Sequence, residues 1–294
     1  MRLELASKPE SATLVRALLA GLGSALDWTG DLVDDLKTAV SEACNNVVLH
    51  AYRGALGKLI VRVDTDGDWV EVVVCDEGSG LHGVTISDEH LRVGLPVISS
   101  LAERADFLSP PDGGTEVRMF FRTAGRPPPA AGAKIQGGPN PSRGPEEETL
   151  DHMVKSWTAQ ALETLVGEPR LRDGEVAGAM APVGLFGPAL GRLVRAFAAL
   201  HHFRLDRFSD LRVITDTLGA HARTSASAER LAFALAGGER RLELVAGPFV
   251  PGSSGVFGAQ EGPPASPLRE LTDELEIEPV EGGELLRLVV ADPR

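Results

Sequence analysis

The chain has 294 residues, enough for two ordinary domains that each bury a core of their own. Its net charge of −13 and the lack of a basic tract disfavour nucleic acids and anionic membranes as partners, because phosphate binding depends on clustered Lys and Arg. Cys44 and Cys75 have apolar neighbours, so we expect them to be buried free thiols in a cytoplasmic protein. The sequence has no apolar run of about 18 residues, so we expect neither export nor a membrane span.

The hydrophobic periodicity of the first 123 residues predicts alternating helices and strands. Asp66-Gly67 between two alternating apolar runs is a strong hairpin signal, and Gly54 provides a helix stop. The predicted elements are, in order, a strand over 2–7, helices over 10–26 and 31–53, strands over 57–64 and 69–75, a helix over 94–105 and a strand over 116–122.

A linker is expected over 124–148, because its Pro-Gly-rich composition and its run of glutamates cannot form a core. A connecting helix is expected over 149–169, with an apolar stripe that includes Met153 and Trp157. We expect this apolar stripe to pack against another part of the chain. The alternative is that it packs against a partner protein.

Residues 170–294 look like an internal repeat of the first domain. Leu193-Val194-Arg195-Ala196 echoes Leu14-Val15-Arg16-Ala17, and Gly282-Gly283-Glu284 echoes Gly113-Gly114-Thr115. The order of helices, hairpin and glycine turn is the same in both halves. Chance similarity in a chain rich in Ala and Leu is the alternative explanation.

Glu42, Asn46 and His50 are spaced four residues apart, so they share one face of the second predicted helix. A solvated stripe is the ordinary explanation for such spacing. In the functional interpretation, the amide oxygen of Asn46 is a ligand of Mg²⁺, and Glu42 is the base that takes a proton from a hydroxyl or water. His50 is expected to be a hydrogen-bonded packing residue.

Asp76 ends a predicted strand and leads into a glycine turn, in which Gly78 and Gly80 let the backbone approach a ligand closely. A carboxylate at this place can accept the exocyclic amine proton of adenine. Gly94 is expected to open a helix whose free N–H groups face phosphate, and Thr115 supplies a hydroxyl near the same end of the sheet. In isolation, each of these glycine motifs is also typical of a surface turn.

Together these motifs resemble the nucleotide site of the histidine kinase-like ATPases (GHKL or Bergerat fold), in particular that of the small serine kinases that act as anti-sigma factors. Val40–Tyr52 is similar to the N-box, Asp76–Gly80 to the first glycine box and Gly113–Thr115 to the third. Leu91–Leu95 looks like a reduced second box, in which Arg92 and Val93 stand where a further glycine is usual. Arg92 is expected to contact a phosphate oxygen instead.

The resemblance covers about residues 1–122 and implies an α/β (α+β) sandwich: a mixed, mostly antiparallel sheet with helices on one face and ATP between helix and sheet. It implies an ATP-dependent anti-sigma factor serine/threonine kinase that binds a sigma factor and phosphorylates an antagonist of the STAS type. Glu42 would be the catalytic base, Asn46 the Mg²⁺ ligand and Asp76 the adenine reader. The expected further nucleotide contacts are Gly78, Gly80, Arg92, Gly94 and Thr115, and residues 81–93 would form a short mobile lid.

The second repeat lacks these site residues. Alignment of the two repeats puts Glu42 at Thr217, Asn46 at His221, Asp76 at Pro248, Gly78 at Val250 and Thr115 at Glu284. We therefore expect an ATP-binding kinase domain over 1–123 and a non-catalytic copy over 170–294. Such a tandem is expected to replace the homodimer common in the family and to leave the chain monomeric.

Two alternative functions stay open on the sequence. A non-enzymatic ATP-binding module of a partner-switching system would explain both the reduced second box and the degenerate repeat. A simple ATPase is less well supported, because such enzymes usually add a long lid and a transducer domain, and the sequence does not suggest either.

Overall fold

The structure is a computed structural model that describes residues 1–80, 89–111, 113–123, 176–258 and 266–292, with the backbone alone for 89–93. The chain divides into two compact units, Met1–Leu19 with Leu26–Ala159 and Ala20–Ala25 with Gln160–Arg294. The expected linker and connecting helix between positions 124 and 169 lie outside the described residues.

The described residues of the first unit form five strands and three α-helices, and the end of the first helix, Ala20–Ala25, belongs to the second unit. Each neighbouring pair of strands is antiparallel, in the order β4-β5-β3-β2-β1, which bears out the mostly antiparallel sheet. The elements are β1 (Arg2–Ala6), α1 (Pro9–Ala25), α2 (Gly30–Asn46), a π-helical turn (Val47–Ala51), β2 (Lys58–Asp66), β3 (Trp69–Asp76), α3 (Glu89–Leu101), β4 (Arg104–Leu108) and β5 (Glu116–Arg122).

Helix α2 is held at its start by a cap and along its length by an apolar stripe. The Thr29 hydroxyl accepts the N–H of Leu32, which satisfies one of the free donors at the helix start. The buried stripe faces β3 and β5, and β3 is buried along almost its whole length because it lies inside the strand order. The stripe consists of Leu32, Leu36, Ala39, Val40, Ala43 and Cys44.

Two predictions for the first unit were wrong. Helix α3 begins at Glu89 rather than near residue 94, because sequence pattern does not fix the exact end of a helix. Residues Arg104–Leu108, assigned in part to that helix, form strand β4 instead, since they pair with β5 from Arg104–Phe120 to Leu108–Glu116. Strand pairing distant in sequence overrides local propensity here.

In the part of the second unit that the structure describes, five strands lie in the order β9-β10-β8-β7-β6, again with antiparallel neighbours. Its strands follow the same order as those of the first unit, although their origin as copies stays a prediction. The elements are β6 (Val176–Met180), a 3-10 turn (Val183–Leu185), α4 (Phe186–Leu200), α5 (Arg207–Ser225), β7 (Leu231–Gly238), β8 (Arg241–Phe249), α6 (Gly255–Gly258), α7 (Pro267–Leu271), β9 (Glu274–Val280) and β10 (Gly283–Ala291).

Helix α4 packs on α5 through glycines and buries most of its apolar face. A β-carbon built on Gly219 would lie 2.6 Å from Cα of Gly187, so the two helix backbones are in direct contact. Contrary to the sequence expectation, the 18-residue stretch Val183–Leu200 is apolar enough to span a membrane, but half of it is buried inside the fold. A core helix accounts for that burial.

Candidate functional site

Three of the predicted site residues meet between helices α2 and α3. Glu42 and Asn46 lie one turn apart on α2 and are both half-buried. A β-carbon built on Gly94 would stand 3.3 Å from Oε2 of Glu42 and 3.3 Å from Oδ1 of Asn46. Only glycine leaves this space free, so the missing side chain keeps open a small volume faced by a carboxylate and an amide.

The predicted role of Gly94 at a helix start is wrong. Gly94 lies inside α3, five residues after Glu89. Its N–H therefore belongs to the interior of the helix and is not one of the free donors of a first turn. What Gly94 contributes is space beside Glu42 and Asn46.

Asp76 lies at the end of β3 with only 6% of its surface exposed. Its Oδ1 accepts the N–H of Gly78 at 2.8 Å, and its side chain accepts a hydrogen bond from the hydroxyl of Thr115. Burial raises the pKa of the Asp76 carboxyl, and these two hydrogen bonds offset part of the rise. The protein thus holds a carboxylate in a setting that disfavours its charge, which is typical of functional positions.

The glycine turn is compressed against its neighbours. A β-carbon on Gly78 would lie 2.2 Å from the carbonyl oxygen of Ala51, and one on Gly114 would lie 2.0 Å from that of Asp76. Gly80 and Gly114 have φ of +70° and +78°, a region that favours glycine. The first and third glycine motifs are therefore packed together, and the Gly114 N–H donates to the Gly78 carbonyl at 3.0 Å.

Tyr52 joins the end of the π-helical turn to the glycine turn. Its hydroxyl accepts the N–H groups of Glu77 at 2.9 Å and Lys58 at 3.0 Å, and donates to the Lys58 carbonyl at 2.6 Å. The sequence analysis gave Tyr52 no role. Its position as the single tyrosine of the chain, next to the motif helix, is the signal that singles it out.

Between α2 and the sheet lies a cleft that is mostly apolar and ends at Asp76. Its open volume is about 50 Å³, so a nucleotide base requires the walls to move apart. An apolar slot with a few polar groups suits a flat aromatic base. Its lining comprises Ala43, Asn46, Val47, His50, Ala51, Val74, Asp76, Gly80, Leu95, Phe107, Thr115 and Val117.

Leu95 and Phe107, two apolar residues that line the cleft, were not predicted from the sequence. Phe107 sits on the unforeseen strand β4, which explains why it was missed. His50 also lines the cleft, and within the described part of the chain its buried Nε2 has no hydrogen-bond partner. The expectation of a hydrogen-bonded packing residue therefore does not hold for Nε2.

Arg92 lies on the described backbone of α3, but its side chain is outside the description, so its phosphate contact stays a prediction. Residues 89–93 of the expected lid are helical, which leaves residues 81–88, outside the described ranges, for a lid.

The residues present fit a magnesium ion bound together with phosphates. The described ranges contain no group of three or more His, Cys, Asp or Glu side chains placed to hold a metal by themselves. Mg²⁺ commonly takes one or two protein oxygens and completes its shell with water and phosphate. The amide oxygen of Asn46, beside the space left by Gly94, is a suitable ligand of this kind.

The second unit has different chemistry at the positions that the sequence alignment pairs with the site of the first unit. Glu284 is buried, and its carboxylate accepts the N–H groups of Gly252 at 2.8 Å and Ser254 at 2.5 Å. His221 Nε2 lies 3.3 Å from the Ser254 hydroxyl, and the His221 ring packs against Phe257 at 4.7 Å between centroids. The polar side chains between α5 and β10 are thus already hydrogen-bonded to other residues of the second unit.

The first unit has known relatives. Residues 5–121 match the histidine kinase-like ATPase domain. An anti-sigma F factor of Caldanaerobacter subterraneus subsp. tengcongensis is 30% identical over 129 residues, which are 40% of this chain and 90% of that protein. An anti-sigma F factor of Thermoanaerobacter sp. strain X514 is 29% identical over the same shares of the two chains. The serine-protein kinase RsbW of Bacillus subtilis is 39% identical over 79 residues, 26% of this chain and 49% of that kinase.

Proposed function

Since the chain belongs to the histidine kinase-like ATPase family, in the branch of the anti-sigma factors and their serine kinases, we propose that it is an ATP-dependent serine/threonine kinase of a partner-switching system. One observation carries the proposal: Glu42 and Asn46 face a common space at Gly94, next to a cleft that ends at Asp76. In this proposal Glu42 is the base, Asn46 the oxygen ligand of Mg²⁺ and Asp76 the adenine acceptor of one bound nucleotide.

Asp76 selects and orients adenine in this proposal. Its buried carboxylate is fixed by Gly78 and Thr115 and can accept the exocyclic amine proton of the base. The apolar walls exclude water from the flat faces of the ring. Because the Asp76 hydrogen bonds are preformed, little ordering is needed when the nucleotide enters.

Glu42 accepts the proton of the attacking hydroxyl. It lies one turn before Asn46, so a substrate serine or threonine that reaches the space at Gly94 meets the carboxylate. Transfer of the hydroxyl proton to such a base contributes about 10²–10⁴ in rate. Asn46 would hold Mg²⁺, and Mg-ATP when bound supplies the phosphoryl group and screens its negative charge.

The proposed protein partners are a sigma factor, held inactive by binding, and a STAS-type antagonist that receives the phosphoryl group. The anti-sigma F factors and the serine kinase among the relatives support this assignment. A cytoplasmic location follows from such partners and agrees with the free thiols of Cys44 and Cys75.

We propose further that the second unit binds no nucleotide. Glu284 stands where Thr115 stands in the first unit, and its charge would repel a phosphate. The contacts of Glu284 with Gly252 and Ser254 support this proposal, because a nucleotide would have to displace them. With one active and one inactive unit, the chain is proposed to act as a monomer.

Phosphotransfer from labelled Mg-ATP to candidate STAS proteins of the same genome tests the proposed function. Wild-type protein is expected to label one of them on serine or threonine, and Glu42→Ala is expected to bind ATP but lose transfer by about 10²-fold or more. ATP binding by the wild type without transfer to any STAS partner would instead support the non-enzymatic regulatory module.

A further inference from the structure

The helices of the second unit bring four arginines to one groove. Arg192 and Arg195 lie one turn apart on α4, and Arg212 and Arg223 lie on α5. All four line the groove between these helices, which Ser24 near the end of α1 also lines. Among the described residues of the lining, Asp216 is the one that is acidic. The groove thus concentrates positive charge in a chain whose net charge is −13.

Close helix packing produces this concentration of charge. Gly187 and Gly219 are in backbone contact, and a β-carbon on Gly191 would lie 3.1 Å from the Thr215 hydroxyl oxygen. Larger residues at these positions would move α4 away from α5 and separate their arginines.

Few groups of the protein neutralise these charges. Arg212 and Asp216 form an exposed pair with 3.6 Å between nitrogen and oxygen. Within the described ranges, the side chains of Arg192, Arg195 and Arg223 take part in no ion pair or hydrogen bond. Burial lowers the pKa of Arg195, and the charges of Arg192 and Arg212 lower it further. The charge of Asp216 offsets part of this effect, but four arginines around one described carboxylate leave an excess of positive charge. Such an excess indicates a ligand that supplies the opposite charge.

The first unit offers an internal control. Alignment of the two repeats puts Arg195 at Arg16 and Arg212 at Lys37, so these two positions are basic in both. It puts Arg192 at Thr13 and Arg223 at Val48, so these two charges are specific to the second unit. The shared fold therefore does not require Arg192 and Arg223.

The shape of the groove favours a peptide over a small anion. Arg212 and Arg223 are eleven residues apart on α5, about 16 Å along its axis, which is too far for one phosphate to bridge. None of the described residues that line the groove has an aromatic ring on which a base would stack. Carboxylates one helical turn apart match arginines spread along a helix pair, and guanidinium groups bind carboxylates well.

We propose that the groove between α4 and α5 is a docking site for an acidic segment of a protein partner. The site lies in the second unit and does not depend on nucleotide chemistry in the first. It gives the unit that lacks the kinase residues a binding function of its own.

Fluorescence anisotropy with a labelled, glutamate-rich helical peptide tests the site on the full chain. The wild type is expected to bind the peptide with an affinity that falls as salt rises. Arg192→Glu combined with Arg223→Glu is expected to weaken binding at least about tenfold. Arg16→Glu combined with Arg269→Glu makes the same change in net charge at exposed positions outside the groove, and should stay within about twofold of the wild type.

Two further variants separate a docking role from a structural one. Arg192→Lys with Arg223→Lys keeps the charges and should retain most of the binding, and Glu42→Ala should bind the peptide like the wild type. The groove reversal should unfold at or above the wild-type temperature, because it removes like-charge repulsion. Equal weakening by both reversals, no peptide binding at low salt, or binding of tripolyphosphate in place of the peptide would each overturn the proposal.

Discussion

At the scale of single residues, the candidate site contains residues that favour ligand binding but lower the stability of the fold. Asp76 is a buried carboxylate whose pKa is raised by burial, so its ionised form costs folding free energy at neutral pH. A residue kept at such a cost is expected to serve a ligand. The same reasoning applies to Gly94, whose lack of a side chain weakens a helix but leaves space beside Glu42 and Asn46.

Asp76→Asn is expected to separate these two effects. The asparagine amide cannot replace both acceptor positions of the carboxylate, so the affinity for ATP should fall by about 10–100-fold. Its melting temperature at neutral pH should equal or exceed that of the wild type, because a raised pKa means that the fold prefers the neutral group. Calorimetric titration and thermal denaturation check the two results, and unchanged ATP affinity would remove Asp76 from the site.

Gly94→Ala is expected to keep the fold and damage the site. Alanine favours a helix over glycine by about 1 kcal/mol, but its β-carbon would crowd Glu42 and Asn46 at 3.3 Å. The affinity for Mg-ATP should fall by about tenfold while the melting temperature holds. Gly30→Ala is the matched control, since nothing lies within 4 Å of a β-carbon there. Equal nucleotide affinity in both variants would contradict the proposed role of the space at Gly94.

At the scale of elements, the site depends on how the end of the motif helix meets the glycine turn. The helix changes from α to π geometry at Val47–Ala51, where the carbonyl of Ala51 receives the N–H of Ser79 at 3.0 Å. Single π-helical turns are frequent at functional sites because they redirect a helix face locally. Tyr52 then fixes the junction through its hydroxyl.

Tyr52→Phe tests this junction. Loss of the hydroxyl leaves the N–H groups of Glu77 and Lys58 to water, and should cost about 1 kcal/mol of unfolding free energy. ATP affinity should weaken as well, because Glu77 follows Asp76 directly. Hydrogen exchange at residues 77–79 should become faster than in the wild type. Unchanged exchange there would show that other contacts hold the turn.

Much of this architecture follows from sequence pattern. The Asp66-Gly67 hairpin forms with the pairing Asp66–Trp69, and the spacing of Glu42 and Asn46 places both on one helix face. These features depend on local periodicity and turn chemistry, which a single sequence displays. The family resemblance and its ATP-binding character are confirmed by the matches of residues 5–121.

The remaining features depend on contacts between residues distant in sequence. Strand β4 is defined by its pairing with β5, and the Tyr52 hydrogen bonds reach residues 6 and 25 positions away. The arginine groove was missed for the same reason: Arg192 and Arg223 belong to no basic tract and are joined only by helix packing. Net charge describes a whole chain and does not locate a charged surface within it.

At the scale of the whole molecule, the second unit has a buried carboxylate, held by two arginines, that should control its acid stability. Asp292 follows β10, and its enclosed carboxylate is bound by Arg204 at 2.7 Å and Arg240 at 2.8 Å. Burial alone would raise the pKa of Asp292, but the N–H and guanidinium of Arg204 with the guanidinium of Arg240 lower it to about 2. The lowered pKa makes the stabilisation complete above the ordinary pKa near 4 and lost as pH falls to about 2.

Asp292→Asn should therefore lower the stability of the second unit at neutral pH and flatten its dependence between about pH 4 and pH 2. Denaturant unfolding at several pH values, followed by hydrogen exchange of β10, checks this expectation. Parallel curves for variant and wild type across that range would show that other carboxylates control the acid response.

The central claim is that each chain has one Mg-ATP site and that it lies in the first unit. Calorimetric titration of the full chain with ATP in the presence of Mg²⁺ measures this directly. We expect one nucleotide per chain for the wild type and for Glu284→Ala, and an affinity about 10–100-fold weaker for Asp76→Asn. Two nucleotides per chain, or full binding that survives Asp76→Asn, would contradict it.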